Sequence, residues 1–349
     1  MAALTFFVPG CFPPTTGAIV FDTRLAAELR ALGHEVTLVP VSGQHPWPDG
    51  AARSSAAELW QAHRPTHPDD RAVIDGFCLY AFDGLEERLR EARAITMFHH
   101  PMSLEPQLSA PERSAFAEIE QRVLPRLARI VVPSAAGRAQ LTAAMTLPPE
   151  AIAVVTPGIP DPGRSTGSGG RTCHVLAVGS LIPRKGHDTV LRALAALPDL
   201  DWRLTVCGDP EIDPAHAAAL RDAAETPGLA GRVTFAGACD PAQMEILWRT
   251  ADLFVSGSRF EGYGMALAEA VRRGLPLAVT NSAAAAEVIP TEASVIVEPG
   301  DHVQLSKGLR RLIFSAPLRR DLADAAWRAG RALPSWADQG RRFAELLAA

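Results

Sequence analysis

Two glutamates, Glu261 and Glu269, lie eight positions apart where an apolar run gives way to a helix-forming stretch. Leu253-Phe254-Val255-Ser256 reads as a buried strand, Arg259-Phe260-Glu261-Gly262-Tyr263-Gly264 as a turn, and Met265-Ala266-Leu267-Ala268-Glu269-Ala270 as a helix. Such a turn delivers the unpaired backbone N–H groups of a helix N-terminus, which can hold a phosphate or a sugar hydroxyl. A carboxylate accepts two hydrogen bonds side by side and so suits a vicinal diol such as the 2′,3′-hydroxyls of a ribose. Phosphate, ribose and sugar are the three parts of a nucleotide-sugar.

A second group follows the predicted strand 174–178. Gly179 lets the chain turn at the strand end, and Arg184 and Lys185, before Gly186 and His187, project where a diphosphate would need neutralising. A solvated basic turn is the plain alternative. Against it, Lys185 is one of only two lysines, with Lys307, and stands at the ligand edge of the predicted sheet. In the first half of the chain, His99-His100-Pro101 closes the predicted strand 94–98. These histidines could be metal ligands or simply loop residues. The metal reading is discounted because no carboxylate or cysteine partner is near.

The elements that must position these groups alternate along the whole chain. Strands are predicted at 4–8, 36–40, 72–81, 94–98, 129–132 and 153–156, with helices at 18–32 and 111–127 between them. The segment 42–70 reads as loop with one short helix. After residue 171 the alternation restarts, with strands at 174–178, 202–207, 233–235, 253–256, 277–280 and 294–297. Helices are predicted there at 187–197, 214–224, 242–249 and 264–272, and onward from 301. Strands alternating with helices imply an α/β architecture of two doubly wound parallel sheets. The Pro-, Gly- and Ser-rich stretch from Pro160 to Gly170 divides them. The predicted domains are 1–160, a linker 161–171, 172–333, and a last segment 334–349 whose helix 336–347 is expected to cross back to the first domain. In such sheets ligands bind at the carboxyl ends of the strands, so the cleft between the two domains is the expected site.

At 349 residues two domains are the prior. A hydrophobic content of 47% and a charged content of 21% describe a soluble globular chain, and a net charge of −5 argues against a nucleic-acid partner. The five cysteines show no metal-binding spacing and read as small core residues of a reducing compartment. With no basic leader and no run of about 20 apolar residues, a cytoplasmic location is expected, with peripheral membrane contact left open.

Together, Gly179 with Arg184-Lys185-Gly186, and Glu261-Gly262-Tyr263-Gly264 running to Glu269, resemble the pattern of family 4 of the retaining glycosyltransferases. Thr16-Gly17-Ala18 opening the first helix, Val131-Val132-Pro133-Ser134 with Arg138, and Val154-Val155-Thr156-Pro157-Gly158 extend the resemblance over nearly the whole chain. Ser180, where many members carry arginine after the turn glycine, departs from it. The resemblance implies a GT-B fold of two Rossmann-like domains and a retaining, metal-independent transfer of a hexose. The donor would be a UDP- or GDP-linked nucleotide-sugar and the acceptor a hydroxyl, by analogy in cell-envelope polysaccharide or glycolipid synthesis and so lipid-linked. It assigns Glu269 to the ribose, and Glu261 with the N–H groups of Gly262, Tyr263, Gly264 and Met265 to the sugar and its phosphate. Arg184 and Lys185 would stabilise the leaving diphosphate. His99 or His100, with His99 preferred, would face the donor sugar, Gly17 would approach the phosphates, and Gly208 would lie near the base. No cofactor or metal is implied. The one D-x-D match, Asp199-Leu200-Asp201, falls at the amino end of a strand and reads as a polar turn. A nucleotide-sugar epimerase of the same architecture and a non-catalytic nucleotide-sugar-binding protein are the alternatives.

Overall fold

The computed structural model describes residues 2–63, 67, 69–105 and 107–348; the remainder of the predicted 42–70 loop lies outside the described residues. The chain forms two compact units, residues 1–158 with 334–349, and residues 159–333.

Unit 1 contains β1 (Ala3–Pro9), α1 (Gly17–Ala31), β2 (Glu35–Val41), α2 (Gly50–Ala62), β3 (Arg71–Asp75), α3 (Glu86–Glu91) and β4 (Ile95–Met97). It continues through α4 (Ala110–Val123), β5 (Arg129–Val132), α5 (Ala135–Ala144) and β6 (Ile152–Val154). Its six strands are ordered β2-β1-β3-β4-β5-β6 and pair in parallel. Crossover helices are what permit parallel pairing, and they cover the sheet on its faces. In α1 the buried positions are Ala18, Phe21, Asp22, Leu25, Ala26 and Leu29, a helical stripe interrupted by one carboxylate.

Unit 2 contains β7 (Cys173–Val178), α6 (His187–Ala195), β8 (Trp202–Cys207), α7 (Pro214–Ala224), β9 (Val233–Gly237), α8 (Pro241–Thr250) and β10 (Leu253–Ser256). Then come α9 (Met265–Arg272), β11 (Leu277–Thr280), β12 (Ser294–Val297), α10 (His302–Phe314) and α11 (Ala316–Gly330). Its six strands run β12-β11-β10-β7-β8-β9, again all parallel. The strand order reverses beside β7, with β8 on one side and β10 on the other. Such a switch point opens a crevice at the carboxyl edge of the sheet.

The last helix, α12 (Trp336–Ala348), packs on α1 in unit 1. Phe343 is fully buried with its ring 6.2 Å from Phe6, and Trp336 lies 5.6 Å from Phe21. Burying a phenylalanine of this kind contributes about 1.5–3 kcal/mol.

Three segments differ from the sequence reading. The strand predicted at 72–81 stops at Asp75, whose Oδ1 accepts from Phe77 N at 2.6 Å. This aspartate turn competes with the ladder, and the apolar residues beyond it form a buried 3₁₀ turn, Leu79–Phe82. The short helix expected in 42–70 is the 13-residue α2, capped by Asp49. The glycine-rich stretch 161–171 lies along unit 2. Thr166 N and Gly167 N donate to Arg249 O at 3.0 and 3.1 Å, and Ser168 N donates to Asp252 Oδ1 at 3.0 Å.

Candidate functional site

In unit 2 the turn after β10 and the turn after β7 meet backbone to backbone. Gly186 has φ +61°, and a Cβ there would lie 1.9 Å from Gly257 O, so only glycine fits. Arg259 N donates to Arg184 O at 2.8 Å, clasping the two turns together. Gly264, at φ +94°, ends the second turn as the N-cap of α9. The strand ends and this pair of glycines therefore fix where Arg184, Lys185 and Glu261 come together.

Lys185 Nζ donates to Glu261 Oε1 at 2.7 Å and Oε2 at 2.9 Å, and Ser258 Oγ donates to Oε1 at 2.8 Å. Arg184 Nη1 stands 3.7 Å from Glu261 Oε2 and donates to Phe260 O at 2.8 Å. Burial alone would raise the Glu261 carboxyl. Lys185 and Arg184, with the Lys185 and Ser258 hydrogen bonds, outweigh it and hold the pKa below the usual carboxylate range. Burial also lowers the Lys185 ammonium, with Glu261 opposing and Arg184 adding to the effect. One carboxylate thus gathers two cations at the carboxyl edge of the sheet.

The other predicted residues of this unit fall around the same edge. An added Cβ on Gly208 would sit 1.9 Å from Gly179 O, so the ends of β7 and β8 are in backbone contact. Gly262 and Met265 flank the turn half-buried, and Glu269 is half-buried on α9. The Tyr263 side chain packs into the apolar core with Leu267 and Phe254, so its backbone is what it can offer to a ligand. From the sequence His187 is no more than the start of a helix. It is buried, and burial pushes its pKa down to about 4. Its Nε2 lies 3.1 Å from Gly179 O, and a carbonyl only accepts, so the neutral Nε2–H tautomer ties down the glycine turn. Ser258 is silent in the sequence, since a serine two residues past a strand end carries no signal of its partner.

In unit 1, Gly17 is exposed at the first position of α1. The histidines follow β4. His100 Nε2 pairs with Glu105 Oε2 at 3.0 Å, within its own loop. His99 Nε2 is 3.1 Å from Asp22 Oδ1 and 3.2 Å from Asp75 Oδ2, with Phe21 at 5.5 Å edge-on and Phe77 at 6.4 Å stacked. This corrects the argument that carboxylate partners are absent, since α1 and the end of β3 each bring one from far away in sequence. Among the described residues, Asp22, Asp75 and His99 are the group whose ligand atoms, all within 4.8 Å of one another, could enclose a cation. The fold brings the D-x-D match to no such site: Asp199 pairs with Arg310 at 2.7 Å, and Asp201 accepts from Thr172 Oγ1 at 3.0 Å.

The cysteines are all free; Cys78, Cys173 and Cys207 are buried, whereas Cys11 is exposed, against the reading of all five as core residues. No helix among the described residues is long and apolar enough to cross a membrane.

Residues 16–161 match the model described as Glycosyltransferase Family 4, and residues 165–328 match Glycosyl transferases group 1. A D-inositol 3-phosphate glycosyltransferase of Corynebacterium diphtheriae is 27% identical over 196 residues, covering 51% of this chain and 46% of that protein. The chain thus matches about half the length of this curated relative. Sucrose-phosphate synthase from Thermosynechococcus elongatus superposes with a TM-score of 0.83 at 17% identity, over 99% of this chain and 98% of that one. Anabaena HepE in complex with UDP-glucose superposes with a TM-score of 0.78 at 17% identity, over 99% of both chains. These likenesses show the GT-B fold, and with both halves matched by their models the chain belongs to the family 4, group 1 glycosyltransferases.

Proposed function

We propose that this protein transfers a hexose from a nucleotide-sugar to a hydroxyl acceptor with retention of configuration and without a metal. The observation that carries the reading is the Lys185–Glu261–Ser258 cluster with Arg184, set beside the N-terminus of α9. A departing diphosphate needs positive charge already in place, and two cations around one carboxylate supply it. The helix N-terminus adds unpaired N–H groups and a favourable dipole. Charge of this kind does electrostatically what a divalent ion does elsewhere.

In this reading Arg184 and Lys185 meet the diphosphate, and Glu269 holds the ribose diol. Glu261 has a divided task. A carboxylate has about four acceptor positions; Lys185 and Ser258 take three of them, two on Oε1 and one on Oε2. What remains is one lone pair for a sugar hydroxyl, so Glu261 acts first by placing Lys185. The HepE structure with UDP-glucose favours a UDP-linked donor. Membrane association is weak: on and after α4, Arg122 pairs with Asp83 at 2.9 Å and Arg126 with Glu87 at 3.2 Å. Strong co-sedimentation with anionic vesicles would contradict that.

The test is a panel of UDP- and GDP-hexoses, followed for slow donor hydrolysis without acceptor and for transfer to lipid-linked and soluble phosphorylated acceptors. Transfer with retained anomeric configuration, unaffected by EDTA and lost in Lys185→Ala and Glu269→Ala, is the expected result. Full activity in both variants, or isomerisation of the donor without transfer, would overturn the reading.

A further inference from the structure

His99 sits in surroundings that decide its charge. Both carboxylates beside it are buried, Asp22 with 1% of its side chain exposed and Asp75 with none. Two buried anions without a countercharge would be costly, and among the described residues the cation-forming side chain ion-paired with them is His99. An ionised carboxylate only accepts, so Nε2 carries a proton that it donates to Asp22 Oδ1, with Asp75 Oδ2 in ion-pair range at 3.2 Å. The other nitrogen, Nδ1, makes no hydrogen bond within the described residues and is absent from the buried unpaired atoms, so it is the ring's open edge. Phe21 and Phe77 fix the plane of the ring.

We infer that Asp22 and Asp75 are positioning residues that hold His99 as an imidazolium, with Nδ1–H presented as a cationic donor to a substrate oxygen. His99 then cannot act as a general base, because both its nitrogens are already protonated. Which oxygen it meets, hydroxyl or phosphate, rests on the proposed function; its charge state does not.

The surrounding groups agree. Burial alone would lower the His99 pKa, but Asp22 and Asp75 overcome it and push it up to about 10. Asp22 is pushed up to about 7 by burial, with His99 opposing and Asp75 adding to the rise. One imidazolium thus stands beside the pair, and the Asp22 carboxyl keeps its proton in acid. Among the described residues, other titratable groups that feel Asp75 include His45, Cys78 and Tyr80. Burial lowers the first and raises the other two, which keeps all three neutral near pH 7. Asp22 lies on the buried stripe of α1, where helical periodicity otherwise places apolar residues.

The test is NMR of the full-length protein labelled in its histidine rings, with His99 assigned from the His99→Asn spectrum. Both His99 nitrogens should stay protonated to about pH 8, and Asp22→Asn and Asp75→Asn should each lower the titration at least about tenfold in proton affinity. In donor hydrolysis, the Asp75→Asn rate should fall as pH rises above neutrality while the wild-type rate stays level, a change that a purely structural role would not produce. A neutral His99 at pH 7 in the wild type, unchanged titration in both variants, or a His99 signal that moves on EDTA treatment would overturn the inference. A charged His99 in a protein with no turnover on any donor would support the inference and remove the proposed function.

Discussion

The clusters at Glu261 and His99 are built from the same chemistry in opposite proportions. In unit 2 one buried carboxylate holds Lys185 and stands near Arg184, so two cations face one anion. In unit 1 one imidazole serves two buried carboxylates, so negative charge is in excess unless a proton makes up the difference. The difference appears in how each group titrates. Cations hold Glu261 down against its burial, whereas Asp22 is raised by its burial, with the like charge of Asp75 adding to the rise. In the proposed reading the first arrangement receives an anion, and in the further inference the carboxylates of the second keep one ring charged and still.

The largest effect should come from removing the cation of unit 2. Lys185→Ala should lower turnover about 10²–10³-fold, as the loss of a transition-state charge stabiliser does, and leave Glu261 buried with Arg184 alone. Turnover within tenfold of wild type would show that the Lys185 charge is not used. Next comes the hydrogen bond that orders the pair. Ser258→Ala removes a donor to a charged acceptor, worth about 1.5–3 kcal/mol, and should lower turnover about tenfold with the fold intact. If Ser258→Ala costs as much as Lys185→Ala, orientation matters more than charge.

Gly186→Ala tests the backbone contact under the cluster. A left-handed residue costs about 1–3 kcal/mol, and the clash with Gly257 O adds to it, so the thermal transition of unit 2 should fall while that of unit 1 is unmoved.

The smallest effect is the most diagnostic, because its sign differs between the units. The native-state pKa values of Asp22 and His99 are raised, so their contribution is complete below the unfolded values of 3.8 and 6.5. It is lost as pH climbs through about 7 and about 10 respectively. Glu261 is depressed, so its contribution is present above 4.5 and lost as pH falls below that value. Raising the pH should therefore weaken unit 1 and, from acid, strengthen unit 2. Asp22→Asn should flatten the first trend and Glu261→Gln the second, read as unfolding midpoints across pH. Trends of the same sign in both units would dissolve the contrast.

Most of the fold was legible because parallel strands buried on both faces are short apolar runs, and the helices between them carry a regular stripe. The pairing of Glu261 with Lys185 was half legible. The residue types and the glycines marked both turns, but not that one backbone contact between them would make the carboxylate the lysine's partner. The His99 cluster was illegible for a plain reason: its three members come from α1, β3 and the end of β4, and no local spacing joins them. One trace did exist. Asp22 interrupts an apolar helical stripe, and a carboxylate there has to find a cation somewhere in the fold.

The membership of α12 in unit 1 bears on how the molecule is made. A ribosome finishes the whole of unit 2 before it releases the helix that completes unit 1. Until Phe343 reaches Phe6 and Trp336 reaches Phe21, the nascent first unit shows part of its core to solvent. Domains generally fold in order of synthesis, but here the half begun first is sealed last. A nascent chain stalled before residue 334 should bind chaperones through unit 1 even though all six of that unit's strands have been synthesised.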